Sequence, residues 1–222
     1  MRRTLRNNGL SIVLVSLFLV FWWGQSMVGH REYNSDQQEH GQAQIGYLSY
    51  LTSAHFWEAT AENWESEFFQ MFGYVVLTAF LFQKGSSESK DPDETEPVDR
   101  DPRKSNKGHQ APGPVRRGGM ILKLYENSLS LAFLLFFLVS VAMHAVAGAR
   151  VYNEEQSAHG QPEHLSSIQY AGTSRFWFES LQNWQSEFLA IAAMVVFSIF
   201  LRQRGSPESK PVDSAHDETG IG

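Results

Sequence analysis

The chain of 222 residues contains no cysteine, and this absence removes a whole branch of chemistry. Disulfide bonds, thiolate metal sites and a cysteine nucleophile are all excluded. A concentrated basic surface is missing too, because 24 Asp and Glu residues outnumber the 18 Lys and Arg residues, which are scattered along the chain. Since nucleic-acid binding needs such a surface, we predict no nucleic-acid partner.

Catalytic signatures are also missing from the sequence. It contains no phosphate-binding loop, no dinucleotide fingerprint, no nucleophile elbow and no ordered Ser-His-Asp set. We therefore predict no catalytic residue and no cofactor. The sequence favours a protein that is not an enzyme.

What the chain does contain is four uncharged apolar runs. Residues 10–29 and 129–149 provide 20 and 21 residues without a charge. As helices, at about 1.5 Å per residue, each spans about 30 Å, the thickness of a hydrocarbon core. Residues 68–83 and 188–201 are shorter, with 16 and 14 residues. We predict that all four runs cross the bilayer. If the two longer runs cross it, the two shorter runs must cross it as well for the topology to balance.

Positive charges concentrate in three places along the chain. Three Lys and Arg residues lie in the N-terminal tail, nine lie between residues 84 and 123, and three lie between residues 202 and 210. The two remaining loops share only Arg31, Arg150 and Arg175. Because positively charged segments stay on the cytoplasmic side, we predict a multi-pass membrane protein with both termini and the central loop in the cytoplasm.

The two halves of the chain are similar to each other. With a shift of 119 residues, 13 of the 33 positions from 10 to 42 are identical, and with a shift of 120 residues, 17 of the 35 positions from 56 to 90 are identical. This similarity predicts a duplication. Each copy holds two spans, so both copies keep the same orientation. The predicted fold is an all-α membrane protein of four transmembrane helices, built from two tandem parallel-repeat helical hairpins.

The predicted repeats cover residues 1–84 and 120–204. Residues 85–119 between them and residues 205–222 after them are rich in Pro, Asp, Glu, Lys, Gly and Ser and nearly free of large apolar residues. This composition predicts a disordered cytoplasmic linker and a disordered cytoplasmic tail. Each begins with the string Gly-Ser-x-Glu-Ser-Lys. We expect the preceding helices to end at Gln83-Lys84 and Gln203-Arg204. The glycine of each string should then cap its helix in a left-handed conformation.

Identical residues concentrate in the segments expected outside the membrane. Glu67 and Glu187 fall at the outer edge of the hydrocarbon, where a carboxylate must be paired or protonated. Arg31 and Arg150, at the outer ends of the longer spans, are the predicted partners. Such a site either pins helices together or marks an ion path. The candidate outer-face polar site comprises Glu67, Glu187, Arg31, Arg150, His40, His159, Asn63 and Asn183.

His40 and His159 occupy matching positions, and each is followed by a glycine. Together with Glu67 and Glu187 they raise the question of a divalent metal site. No tight ligand spacing such as HExxH supports that interpretation. A sharp turn at the following glycine explains each histidine as a polar anchor, so we predict no metal.

Four repeated or terminal strings together identify a family resemblance. They are Asn8-Gly9-Leu10-Ser11, the Tyr-Asn…Gln-x-x-His-Gly-Gln loops, the Phe-Trp…Asn-Trp-x-Ser-Glu-Phe helices and the Gly-Ser-x-Glu-Ser-Lys ends. Through them the chain resembles, over nearly its whole length, a family of small bacterial membrane proteins that is defined only as a domain of unknown function. The resemblance implies membrane residence and a bacterial source, and hence the inner membrane. It implies no activity, substrate or catalytic residue.

Three functions remain open at this point. The favoured one is a structural or interaction protein of the inner membrane, with the lipid bilayer as its partner. A small channel or transporter would use the pair Glu67 and Glu187, and it would need a homo-oligomer because four helices leave little room for a pore. A metal-dependent membrane enzyme would use His40 and His159 together with the two glutamates.

Overall fold

The structure is a computed structural model that describes residues 2–104, 110–160 and 164–220. Every regular element in these residues is a helix, so the predicted all-α class is confirmed. The helices are α1 (Arg2–Glu39), α2 (Tyr47–Tyr50), α3 (Ala54–Phe80), α4 (Gly113–Arg117), α5 (Gly119–Glu126), α6 (Ser128–Ala158), α7 (Ser167–Tyr170) and α8 (Ser174–Phe200). Two short 3₁₀ turns, Pro97–Asp99 and Pro102–Lys104, lie between α3 and α4.

Three of the described helices are long and apolar enough to cross a membrane: Arg3–Glu39 within α1, together with α6 and α8. The large apolar side chains of α1 are exposed, for example Leu10 at 74 % and Phe21 at 69 %. A surface this apolar suits lipid rather than water. In lipid the main-chain groups must bond within their own segment, which is why such runs are helical.

Helix α3 is not one of these three, although it contains most of the predicted run 68–83. Its first half carries four carboxylates, and only its last 13 residues, Phe68 to Phe80, are uncharged. That stretch spans about 20 Å, which is well below the thickness of about 30 Å of a hydrocarbon core. The four-span topology therefore stays a prediction.

The described residues form two compact units. Unit 1 comprises Met1–Ala61 and Ala142–Phe176, and unit 2 comprises Glu62–Val141 and Trp177–Gly222. Each unit contains residues of both predicted repeats, because packing depends on neighbours in space whereas duplication is a property of the sequence. The predicted repeat boundaries stay a prediction.

In unit 1, one asparagine ties each long helix to the loop that follows it. The Asn34 side chain of α1 donates to the main-chain oxygen of Ile45 at 2.9 Å and accepts from the Ile45 N–H at 2.8 Å. Asn153 of α6 makes the same two bonds with Leu165, also at 2.9 and 2.8 Å. An amide suits this role because it carries both a donor and an acceptor. We call each two-bond arrangement an asparagine clasp.

In unit 2, aromatic rings fill the space where α3, α6 and α8 meet. The Phe69 ring of α3 lies 4.5 Å from the Trp184 ring and 5.5 Å from the Phe188 ring of α8, measured between ring centres. Phe137 of α6 lies 5.0 Å from Phe69. These offset and edge-on ring contacts stabilise the helix packing beyond simple burial of area.

The helices α3 and α8 end earlier than predicted, at Phe80 and Phe200 rather than at Gln83-Lys84 and Gln203-Arg204. The reason is that the N–H of Gln83 bonds to the Ser89 hydroxyl at 2.8 Å instead of to a helical carbonyl. The equivalent N–H of the second copy bonds to its own matching serine, at 2.9 Å. The expected left-handed glycines are present, with φ of +87° at Gly85 and +86° at Gly205, but they lie within these turns.

The segments predicted to be disordered contain further local hydrogen bonds. In the linker, the Lys90 ammonium donates to the Asp99 carboxylate at 2.6 Å. In the tail, Lys210 donates to the main-chain oxygens of Ala215, His216 and Glu218. These bonds belong to one conformation of residues 85–104 and 205–220. The disorder of the two segments stays a prediction.

Candidate functional site

The ends of α1 and α6 within unit 1 border a cleft of about 990 Å³, which we call the histidine cleft. Its carboxylates belong to Glu32, Asp36, Glu39, Glu154 and Glu155. Its imidazoles belong to His40, His55, His159 and His164. Arg150 lines the same cleft. Because five carboxylates are set against this arginine, the lining is negatively charged when the histidines are neutral.

His40 and His159 each come directly before a tight turn. The next residues, Gly41 and Gly160, have φ of +68° and +71°, a left-handed conformation that favours glycine. The Nδ1 atom of His40 lies 2.9 Å from the carbonyl oxygen four residues earlier, and that of His159 lies 2.7 Å from its equivalent. The centres of the two imidazole rings are 6.3 Å apart. The structure thus brings together two histidines that lie 119 positions apart in the sequence.

The arginines near the cleft have different surroundings. Arg150 and Arg31 are both exposed. Arg175 pairs with Glu155 through both guanidinium ends, with Nη2 3.2 Å from Oε1 and Nη1 in contact with Oε2. Such a two-point pair fixes the orientation of the carboxylate as well as its charge. Of the predicted site residues, the histidine cleft therefore contains His40, His159 and Arg150.

The predicted glutamates and asparagines belong to unit 2. Glu67 is exposed and Glu187 is half-buried, and the charge of Glu67 is near enough to act on the Glu187 carboxylate. Asn183 is half-buried and donates to Glu62 Oε1 at 2.5 Å, whereas Asn63 is exposed. The charges of the two matched glutamates therefore disfavour each other.

Sequence reasoning missed two buried carboxylates on α3. Glu65 is 1 % exposed and accepts a hydrogen bond from Trp184 Nε1 at 3.1 Å. Glu58 is 8 % exposed. Their positions in the second half are occupied by Gln185 and Phe178, so a search for residues shared by both halves passes over them. The available signal was their spacing of seven residues, which places both on one stripe of the helix.

Among residues 2–104, 110–160 and 164–220, no three His, Asp or Glu side chains are grouped so that they could hold an ion. The histidine pair described above supplies two such side chains.

The regular elements of the described residues are all helices, and three of these helices are long and apolar enough to cross a membrane, which is compatible with a multi-pass membrane protein. Over residues 1–221 the sequence matches the family described as a domain of unknown function, DUF6766, and the chain belongs to that family. The resemblance drawn from the repeated strings is therefore confirmed. Neither the curated proteins nor the solved structures gave a match.

Proposed function

We propose that the chain is a multi-pass protein of the bacterial inner membrane, with α1, α3, α6 and α8 all crossing the bilayer and both termini in the cytoplasm. Three of these helices have the required length and apolarity. The orientation is supported by the basic residues, because all but three of the 18 fall in the segments that it leaves inside.

Hydrogen bonds between α8 and polar side chains of α3 support the crossing of α3. Trp184 of α8 donates to the buried Glu65 carboxylate, and Gln70 of α3 donates to the main-chain oxygen of Glu187 at 3.1 Å. Polar groups that bond between helices are tolerated in hydrocarbon, whereas the same groups facing lipid are costly. The buried charge of Glu65 on α3 is therefore compatible with a membrane position.

The proposed role is structural or that of an interaction partner, without catalysis. One observation carries this role: polar side chains join helix to helix or helix to loop, as Trp184 does with Glu65 and as the two asparagine clasps do. The histidine cleft is one polar surface that these contacts leave open. Its excess of carboxylates suits a partner that presents positive groups.

The orientation can be tested with single cysteines, since the chain has none of its own. Ser35→Cys, exposed beside the histidine cleft, should react with a membrane-impermeant maleimide applied to spheroplasts. Thr95→Cys in the linker should react only after the membrane is permeabilised. Reaction of Thr95→Cys from outside would overturn the topology.

A small channel or transporter is the second candidate, and the charge effect of Glu67 on Glu187 favours it. Neighbouring carboxylates on membrane helices recur along ion and proton paths. Because four helices enclose little space, this function requires a homo-oligomer.

Ion flux into liposomes separates the two candidates. Wild type, the double variant Glu67→Gln/Glu187→Gln and the linker control Glu94→Gln would be reconstituted at equal density. In a structural role the double variant changes the thermal unfolding midpoint, while proton and cation flux stays at the level of empty liposomes for all three. Flux in wild type and Glu94→Gln that disappears in the double variant would establish the channel instead.

A further inference from the structure

The pairing of His40 with His159 has a chemical consequence beyond the proposed role. We propose that these two histidines form a two-ligand site for a divalent transition metal ion such as Zn²⁺, which links the ends of α1 and α6. The inference does not depend on which way the chain crosses the membrane, because both residues lie in unit 1 and line one open cleft.

The hydrogen bonds of the two rings determine which nitrogen is free. Each Nδ1 lies 2.7 to 2.9 Å from a main-chain carbonyl oxygen of the preceding helical turn. A carbonyl can only accept, so Nδ1 carries a proton in both rings, and in the neutral imidazole Nε2 then holds a lone pair. Histidines that bind metals through one nitrogen commonly donate the other N–H to a carbonyl in this way. Both rings are therefore prepared as ligands before any ion arrives.

The distance between the rings is compatible with a shared ion. With metal–nitrogen bonds of about 2.0–2.1 Å, two imidazoles on one tetrahedral ion have ring centres about 5 Å apart, and two on opposite sides of an ion about 6 Å apart. The observed separation of 6.3 Å is close to this range. Both side chains lie on the exposed ends of their helices, so a small rotation of either ring closes the difference.

The surroundings of the pair favour a cation. Asp36 lies one turn before His40 and lines the same cleft, with its Oδ1 3.4 Å from His40 Nδ1. The Glu155 carboxylate, one turn before His159, is paired with Arg175. Imidazole suits Zn²⁺, Cu²⁺ and Ni²⁺ better than it suits Ca²⁺ or Mg²⁺. Water completes the coordination, because the described residues hold no larger ligand group. Binding through two side chains is consequently weak and reversible.

Calorimetric titration with Zn²⁺ alone tests the site on the full-length protein in detergent. Wild type should bind one equivalent, and its thermal unfolding midpoint should rise because the ion binds the folded form. His40→Ala and His159→Ala should each weaken binding by about tenfold or more and abolish the rise. His164→Ala, in the same cleft, is the matched control and should behave as wild type. Binding that survives in His40→Ala, or that is lost equally in His164→Ala, would overturn the site.

A second measurement tests whether residues 40 and 159 are close together without relying on metal binding. It keeps the proposal testable if a His→Ala variant fails to fold. His40→Cys/His159→Cys introduces two cysteines into a chain that has none, so a short bifunctional thiol reagent should join them within one chain. The pairing of His40→Cys with His164→Cys is the control and should cross-link more slowly. Failure of the first pair to cross-link would show that the two helix ends do not meet, and the metal site would fall with them.

Discussion

At two helix positions a glycine leaves room for a tyrosine ring. Tyr50 and Tyr170, the last residues of α2 and α7, are 2 % and 0 % exposed. A Cβ atom added to Gly29 would lie 2.2 Å from the Tyr50 hydroxyl oxygen, and one added to Gly148 would lie 2.4 Å from a ring carbon of Tyr170. Because non-bonded carbons need about 3.5–4 Å, these glycines set how closely each helix approaches its loop.

Replacement of Gly148 by alanine should lower the free energy of unfolding by about 1–3 kcal/mol, because the buried Tyr170 ring would have to shift to make room for the added methyl group. Gly24→Ala on α1 is the control, since nothing lies within 4 Å of a Cβ atom there. Helix propensity alone should make that variant more stable by up to about 1 kcal/mol. Denaturant unfolding in detergent measures both. Equal gains in the two variants would contradict a role for the tyrosine contact.

Tyr50 makes stability depend on alkaline pH. Burial, assisted by the Glu32 carboxylate, raises the pKa of Tyr50 to about 12. The folded protein therefore favours the neutral phenol more than the unfolded chain does, with its ordinary pKa of about 10. This contribution, on the order of 2–3 kcal/mol, is complete below about pH 10 and is lost as the pH rises towards 12. The unfolding midpoint should fall across that window in wild type and fall less in Tyr50→Phe. Parallel curves for the two proteins would refute the assignment.

Helix α3 carries a buried carboxylate that bonds to a partner helix. Its Glu65 is buried, and the Trp184 indole of α8 donates to it. The same indole packs against Phe69, so one side chain of α8 supplies both the hydrogen bond and apolar contact. The pairing of these two helices is therefore specific as well as apolar.

Trp184→Phe should lower the free energy of unfolding by about 1–3 kcal/mol, because a buried carboxylate loses a donor while the ring packing is largely kept. Glu65→Gln keeps an acceptor oxygen for the indole and should cost less. In the Trp184→Phe background the same Glu65→Gln change should recover part of the loss, since a neutral amide is cheaper to bury than a carboxylate. A double-mutant cycle measures the coupling. A coupling of zero would mean that the bond contributes nothing.

The helices show which parts of the fold could be predicted from the sequence. The long elements α1 and α6 follow from their uncharged length, because an apolar run of that size can satisfy its main chain only as a helix. The end of α3 at Phe80 could not be predicted, since it depends on the Ser89 hydroxyl folding back on Gln83. The same holds for the candidate site. Comparison of the two halves of the sequence located His40 and His159, but it passed over Glu65, which has no matching glutamate in the second half.

At the scale of the whole molecule, the C-terminal tail is bonded to the first Gly-Ser-x-Glu-Ser-Lys turn within unit 2. The Gly85 N–H donates to the Thr219 hydroxyl at 2.9 Å, and the Gly220 N–H donates to the Ser86 carbonyl at 3.0 Å. Lys210 is 2 % exposed and donates to three main-chain carbonyls at 2.7 to 3.1 Å. One ammonium thus closes the tail into a loop, because its three donors match three acceptors.

Lys210→Met should open this loop, because three main-chain carbonyls lose a charged donor while the length of the side chain is kept. Amide hydrogens of residues 206–220 should then exchange about tenfold faster or more, as measured by mass spectrometry. Lys84→Met, at an exposed position, is the matched control and should leave exchange unchanged. Unprotected amides in the wild-type tail would instead support the disorder that its composition predicts.

The sequence by itself determined the all-helical membrane class and the family, because hydrophobic length and repeated strings are properties of contiguous residues. Only the tertiary structure decided that His40 meets His159, that Trp184 covers Glu65 and that Tyr170 lies on Gly148. Each of these contacts joins residues that are distant in the chain or separated by a turn. Their energies depend on distances that no local pattern of residues encodes.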